Sequence, residues 1–124
     1  MDWTINYLKE AGIVSAKASG VMDWDEHKKF AEELYPLAKK HGVHKFLIDF
    51  RLMQPKFTIL QIDDLPNMLR EIGVEPGFKI ASVYDPASPH SHEFRFFNNV
   101  ATLLSIRVKQ FEDPDEALAW LKSA

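Results

Sequence analysis

The stretch Arg107–Leu121 (RVKQFEDPDEALAWL) decides the fold, because it encodes a strand and a helix with a tight turn between them. Polar and apolar residues alternate over its first six positions, which is the period-two pattern of a half-buried strand. Asp113 suits a helix N-cap, Pro114 suits the first helical position, and Glu116 stands where its side chain can reach back to the cap. A strand that turns directly into a helix is the unit from which parallel α/β sheets are built.

The rest of the chain repeats this strand-and-helix pattern. Strands are predicted at residues 3–8, 13–18, 44–50, 78–84 and 107–112. Helices are predicted after Asp23, after Thr58, from Ser88 or Ser91, and after Asp113. The short turn between the first two strands implies a hairpin, and the later strand–helix units imply right-handed crossovers. The order ββαβαβαβα therefore predicts a single α/β domain over residues 1–124, with a mainly parallel five-stranded sheet, an antiparallel first edge strand and helices packed on it.

Two prolines disturb the predicted helices. Pro36 lacks the amide hydrogen that an interior helical position requires, so we predict a kink near Pro36 or a helix in two pieces. Pro66 raises the same difficulty in the next helix. There we predict a short first turn and a restart capped by Asp63 or Asp64.

Composition narrows the class of protein. The chain has 124 residues, of which 46% are hydrophobic, enough for one domain with a sizeable core. Its 15 basic and 18 acidic residues give a net charge of -3, which argues against nucleic acid as the main partner. The absence of cysteine excludes disulfides, thiolate metal sites and cysteine nucleophiles. Without a signal-peptide pattern or an apolar stretch approaching about 20 residues, we expect a cytoplasmic protein with no membrane span.

Three stretches carry a resemblance to a known family: Leu47-Ile-Asp-Phe50, Lys79-Ile-Ala-Ser-Val83 and the closing motif over residues 111–121. Together with the element order they resemble the SpoIIAA-like branch of STAS domains. These domains are relatives of bacterial anti-sigma-factor antagonists and are sometimes grouped with lipid-binding SEC14 domains. The resemblance spans nearly the whole chain. It implies a small non-enzymatic domain of a bacterial regulatory pathway, used for protein contacts or, in some branches, for binding small or apolar ligands.

The chain departs from this family at one position. Antagonists carry a phosphorylatable serine just past an aspartate at the end of the third strand. Here Asp49 is followed by Phe-Arg-Leu-Met, and no serine or threonine occurs before Thr58. The departure speaks against a phospho-switch acting through a partner kinase. Thr58 is the one candidate for phosphorylation, although a role as helix N-cap explains it more simply.

Two predicted loops, residues 51–57 and 85–92, follow strands at the carboxyl edge of the sheet, where open parallel sheets bind ligands. Two helix N-termini would point into the same region and add partial positive charge. The polar residues of these loops are Arg51, Gln54, Lys56, Ser88, His90, Ser91 and His92. They predict a site for a phosphate or carboxylate group, or for an apolar ligand held between the loops. The alternative is a solvated polar rim, as found in every α/β protein.

Neither a metal site nor catalysis is predicted. His90 and His92 could share a metal only in an extended loop, and capping or surface roles explain them without one, so we expect no metal and no cofactor. Nucleophile-elbow, phosphate-loop and dinucleotide glycine patterns are all missing. The paired carboxylates Asp63-Asp64 and Asp113/Asp115 lie at predicted helix starts, where helix capping explains them without catalysis. We therefore predict a protein without enzymatic activity.

The helix predicted from His90 to Leu104 carries two apolar lines. The line expected to face the sheet consists of Phe94, Phe97, Ala101 and Leu104. The second line consists of Phe96, Val100 and Leu103. It must meet a neighbouring helix, a ligand cavity or another copy of the chain, and a homodimer is the commonest solution for a small protein. The leading functional prediction is a non-enzymatic regulator that binds a protein partner, and the alternative is a carrier or sensor of a small anionic or apolar ligand.

Overall fold

A computed structural model describes residues 2–89 and 104–123 of the protein. Its strands are β1 (Asp2–Leu8), β2 (Ile13–Asp23), β3 (Lys45–Lys56), β4 (Lys79–Val83) and β5 (Arg107–Phe111). Its described helices are α1 (Trp24–His41), α2 (Ile59–Ile72) and α3 (Pro114–Lys122). The candidate interface residues Phe96, Val100 and Leu103 lie outside the described residues. Within the described ranges, no helix combines the length and the hydropathy that crossing a membrane requires.

The five strands form one sheet in the order β1-β2-β3-β4-β5. β1 is antiparallel to β2 at one edge, and every other neighbouring pair is parallel. α1 and α2 contribute to the core on one face of the sheet, and α3 contributes to a second core on the other face. The predicted α/β architecture with an antiparallel first edge strand is therefore confirmed.

The larger core lies between the sheet and helices α1 and α2. Alternate residues of the strands face it, because successive side chains of a strand point to opposite faces. Its aromatic centre is Phe46 on β3, which is fully buried. The Phe46 ring lies 5.1 Å from the rings of both Tyr35 and Phe78. These contacts join α1 to the starts of two neighbouring strands.

The smaller core lies under α3, where Ala117 and Leu121 are fully buried against the sheet. Lys79, the first residue of β4, holds the end of this helix. Its ammonium donates hydrogen bonds to the carbonyl oxygens of Trp120 (2.6 Å) and Ser123 (3.0 Å) and lies 4.5 Å from the centre of the Trp120 ring. Desolvation of the ammonium, with the positive charges of Arg107 and Lys45, lowers the pKa of Lys79.

We expect a Lys79→Met substitution to loosen α3 selectively. Methionine keeps an apolar stem but removes the donors that satisfy the free carbonyls of the last helical turn. Amide hydrogen exchange should become about tenfold faster across α3 while α1 is unchanged. Lys109→Met, at an exposed position of β5, is the control and should change neither helix. Unaltered exchange in α3 of the Lys79 variant would show that the ammonium does not hold the helix.

The helix in two pieces, one of the two alternatives predicted for Pro36, is wrong, and so is the restart predicted near Pro66, while the kink near Pro36 stays a prediction. α1 is one helix that contains Pro36, and α2 runs without a restart at Asp63 or Asp64 although it contains Pro66. Pro36 is on the exposed side of α1, where water can satisfy the carbonyl group that loses its partner. Pro66 is buried, so its ring adds apolar contact to the core. Packing of each apolar face thus offsets a cost of about 3 kcal/mol per proline.

The predicted loop 51–57 is also wrong, because β3 continues to Lys56 and β2 continues to Asp23. The two extensions pair with each other from Ser19 opposite Leu52 to Asp23 opposite Lys56. They project beyond the point where β3 stops pairing with β4, at Asp49 opposite Val83. Gly20 and Pro55 interrupt the strand pattern of these segments, so the sequence does not predict their pairing. We call the paired extensions, residues 19–23 and 52–56, the β2–β3 ribbon.

Candidate functional site

The carboxyl edge of the sheet carries those predicted ligand-binding residues that the structure describes. Arg51, Gln54 and Lys56 are exposed on the extension of β3, on a paired strand rather than a loop. Ser88 lies in the loop after β4, the neighbouring parallel strand, so the two segments follow the same edge. His90, Ser91 and His92 lie outside the described residues. The proposed anion site is therefore described only in part.

Arg51 is already paired with a carboxylate. Its Nε and Nη2 atoms donate to the two oxygens of Asp49, at 3.0 Å and 2.7 Å. Partial burial alone would raise the pKa of Asp49, but hydrogen bonds from Arg51 and the charges of Arg51 and Lys17 outweigh it and hold the pKa below its usual value. Because the Asp49 carboxylate compensates the guanidinium charge, Arg51 offers little net attraction to a second anion.

Thr58 caps α2, as predicted. Its Oγ1 accepts a hydrogen bond from the backbone amide of Gln61 at 3.1 Å, and the Gln61 side chain accepts one from the Thr58 amide at 3.0 Å. This reciprocal arrangement is a capping box, which satisfies two free amides at the helix start. The hydroxyl of Thr58 therefore has a structural role.

Large apolar side chains are exposed at the same end of the molecule. The most exposed of those described are Val21 (48%), Leu52 (61%), Ile59 (79%) and Leu60 (80%). The first two lie on the β2–β3 ribbon and the last two begin α2. We call these four residues the apolar rim. Beside the rim lies a broad open depression of about 690 Å³, whose lining includes Asp23, Trp24, Lys56, Phe57 and Ile59.

A separate cavity of about 80 Å³ lies between the sheet and helices α1 and α2. Its described apolar lining includes Phe30, Ile48, Met53, Leu65, Leu69 and Ile80. Its described polar lining consists of His27, Tyr35, Ser82 and Gln110. Ser82 and Gln110 are register partners on β4 and β5, so their side chains emerge side by side from the sheet. None of these residues belongs to the predicted site.

Burial favours the neutral forms of His27 and Tyr35, the ionisable side chains in the described part of the cavity lining. Desolvation lowers the pKa of His27 to about 4 and raises the pKa of Tyr35 above its ordinary value. At neutral pH the cavity therefore presents an uncharged imidazole and an un-ionised phenol. No Asp, Glu, Lys or Arg belongs to the part of its lining that the structure describes.

No family model matches the chain, and no curated relative matches it. Solved structures do match. An anti-sigma factor antagonist from Mycobacterium paratuberculosis has 15% identity over 98% of this chain and 96% of that chain, with a TM-score of 0.58. An uncharacterised protein with a SpoIIAA-like fold from Shewanella loihica has 22% identity over 97% and 92%, with a TM-score of 0.60. Bacillus SpoIIAA in its phosphorylated form has 9% identity over 97% and 99%, with a TM-score of 0.54.

The chain has the SpoIIAA-like fold. The predicted resemblance is thereby confirmed at the level of architecture, across nearly the full length of each compared chain. In this SpoIIAA-like fold, the β2–β3 ribbon and the start of α2 present the apolar rim at the carboxyl edge, while the cavity opens within the larger core. Sequence reasoning named the carboxyl edge but missed the cavity. The polar residues Ser82 and Gln110 at inward positions of two strands are the signal that could have indicated it.

Proposed function

We propose that this protein is a cytoplasmic, non-enzymatic regulator of a bacterial pathway that acts by binding a protein partner at the carboxyl edge of its sheet. The observation that carries the proposal is the apolar rim, with Ile59 and Leu60 each about four-fifths exposed. The class of function is supported by the solved structures with the same fold, two of which are an anti-sigma factor antagonist and SpoIIAA.

The rim fits a protein partner on energetic grounds. Burying a leucine or isoleucine side chain that water now surrounds contributes about 1.5–3 kcal/mol. Few such residues are needed at the centre of an interface, because a handful of buried anchors dominates most binding free energies. The charged residues beside the rim, Asp23, Asp25 and Lys56, suit the polar border of such an interface.

The double substitution Ile59→Asp/Leu60→Asp should abolish partner binding without unfolding the protein. Acidic residues are favourable in the first turn of a helix, and α2 has none there, so the free energy of unfolding should change by less than about 0.5 kcal/mol. Quantitative cross-linking in the host should recover at least about tenfold less of the partner from the variant than from the wild type.

Leu8→Asp is the matched control, because Leu8 is exposed (39%) at the end of β1, away from the rim. It should recover as much partner as the wild type. Equal recovery from the wild type and the double variant would contradict docking at the rim. If native mass spectrometry shows a dimer that the double substitution dissociates, the rim is a self-association surface instead of a docking site for another protein.

Two other functions are less well supported. An anion site between the segments 51–57 and 85–92 would have Lys56 as its charged residue within the described part, with Gln54 and Ser88 as polar groups, because Arg51 is paired with Asp49. A phospho-switch at Thr58 would have to replace the hydrogen bond that caps α2. Neither is part of the leading proposal.

A further inference from the structure

The outer edge of β1 has no partner strand among the described residues. β1 lies at one end of the strand order and pairs with β2 on its inner side. In an antiparallel pair, alternate residues direct their backbone N–H and C=O groups toward the partner strand, and the residues between them direct theirs away from it. About half of the backbone groups of β1 therefore point out of the described sheet. Helix α1 packs mainly over β2, and α3 packs over β3, β4 and β5, so these helices lie on the faces of the sheet rather than along this edge.

β1 lacks the features by which edge strands avoid pairing with another chain. Those features are short length, proline, lysine side chains and bulges. β1 has seven residues with no proline or lysine among them, and its register with β2 runs from Asp2 to Leu8 without a shift. Its one charged residue, Asp2, is the first of the strand. The edge of β1 is therefore suited to pairing with a further strand.

The opposite edge of the sheet is protected. β5 has five residues, and two of them are the exposed basic residues Arg107 and Lys109. If β5 paired antiparallel with the β5 of another copy about its central residue, the two Lys109 side chains would lie directly opposite each other, which is unfavourable. Of the two edges, β1 is thus the one that can pair with itself.

We propose that the protein forms a twofold symmetric dimer in which the β1 strands of two copies pair antiparallel, with Ile5 opposite Ile5 of the second copy. The two five-stranded sheets would then form one continuous sheet. In this register Trp3 lies opposite Tyr7 of the second copy, and Thr4 lies opposite Asn6. The strands overlap over their full length, so the pairing adds about six to eight backbone hydrogen bonds. This surface is separate from the apolar rim, so dimer formation and partner docking can be tested independently.

The aromatic side chains of β1 support this register. Trp3 and Tyr7 are half-buried on the face toward the larger core. The Trp3 ring packs edge-on against Phe30 of α1, and the Tyr7 ring stacks on His41 at the end of α1, with ring centres 4.0 Å apart. Because α1 already holds both rings, little side-chain entropy is lost when Trp3 of one copy meets Tyr7 of the other, and cross-strand aromatic pairs are favourable.

The test places charges at Thr4 and Asn6, whose exposed side chains lie opposite each other in the proposed dimer. In Thr4→Glu/Asn6→Glu each new carboxylate faces a carboxylate of the second copy, which is unfavourable. In the matched variant Thr4→Glu/Asn6→Lys each carboxylate faces an ammonium, which is favourable. Within one copy these positions lie opposite Lys17 and Ser15 of β2, so both variants should fold and give the circular dichroism spectrum of the wild type.

Sedimentation velocity of the full-length protein at roughly 1 to 200 µM measures the outcome. We expect the wild type to shift from monomer to dimer as its concentration rises. The dissociation constant of the dimer should rise at least about tenfold in Thr4→Glu/Asn6→Glu, and should equal or fall below the wild-type value in Thr4→Glu/Asn6→Lys. Ile59→Asp/Leu60→Asp, which alters the apolar rim, should dimerise like the wild type.

Three results would each overturn the proposal. The first is a wild type that is monomeric at every concentration, which would leave the β1 edge to a strand of another protein. The second is a Thr4→Glu/Asn6→Glu variant that dimerises as the wild type does, since the dimer would then use another surface. The third is a Thr4→Glu/Asn6→Lys variant that fails to dimerise, since the opposite charges would then not face each other.

Discussion

Replacing Phe46 with alanine is expected to lower the free energy of unfolding by about 3–5 kcal/mol. Phe46 is fully buried on β3, the central strand of the sheet, and its ring contacts Tyr35 of α1 and Phe78 before β4. The substitution removes the apolar contact of the ring and leaves a void that the surrounding rings fill only in part. Because a domain of this size is stable by about 5–15 kcal/mol, the loss takes a large share of the total. Urea denaturation monitored by circular dichroism measures it.

Leu52→Ala is the control for this measurement, since Leu52 is 61% exposed and its truncation should cost less than about 0.5 kcal/mol. Should the alanine variant at position 46 be unfolded in buffer, Phe46→Leu gives a smaller, measurable loss in the same direction. A change below about 1 kcal/mol for Phe46→Ala would show that the aromatic centre contributes less than its burial implies.

Acidification is expected to destabilise the protein through His27 by about 3 kcal/mol between pH 7 and pH 4. Burial lowers the pKa of His27 to about 4 in the folded protein, against 6.5 for an exposed histidine. The unfolded chain therefore takes up a proton at this residue at a higher pH than the folded one. The contribution of neutral His27 to stability is complete above pH 6.5, falls as the pH drops toward 4, and is constant below that.

The comparison that isolates this effect is the wild type against His27→Gln. The free energies of unfolding of the two proteins are measured from pH 7 to pH 3.5. The difference between them should change by about 3 kcal/mol between pH 7 and pH 4. His44→Gln, at an exposed position, should track the wild type at every pH. Parallel curves for the wild type and His27→Gln would show that His27 is not held neutral by burial.

The buried histidine and the cavity are related features of α1. His27 and Tyr35 both belong to this helix and both line the cavity. The Phe57 ring, just before the cap of α2, lies 5.4 Å from the His27 ring. Protonation of His27 is therefore expected to affect the packing of α1 against Phe57.

Local patterns predicted most of the architecture. The alternation in Arg107–Phe111, the cap at Asp113 and the capping box of Thr58 with Gln61 are each set by residues close in sequence, and the structure shows each of them. The antiparallel first edge strand and the parallel direction of the later strands followed from the short and long connections, and the structure confirms both. The carboxyl edge could be named as a site from the same rules.

The remaining features depend on residues far apart in the chain. The β2–β3 ribbon exists because residues 19–23 pair with residues 52–56, and each segment alone is interrupted by glycine or proline. The uninterrupted helices through Pro36 and Pro66 depend on packing that compensates a local penalty. The cavity combines side chains from two helices and three parallel strands, so its full lining depends on the tertiary structure, although the inward polar residues Ser82 and Gln110 give a partial signal.

The sequence by itself determined the element types, their order and their caps, since these arise from backbone preferences and side-chain periodicity within a few residues. Only the tertiary structure decided that Arg51 would face Asp49, that Ile59 and Leu60 would remain exposed, and that Tyr35 and Ser82 would share a cavity. Exposure, charge compensation and the lining of a cavity depend on how the whole chain folds, and function depends on those properties.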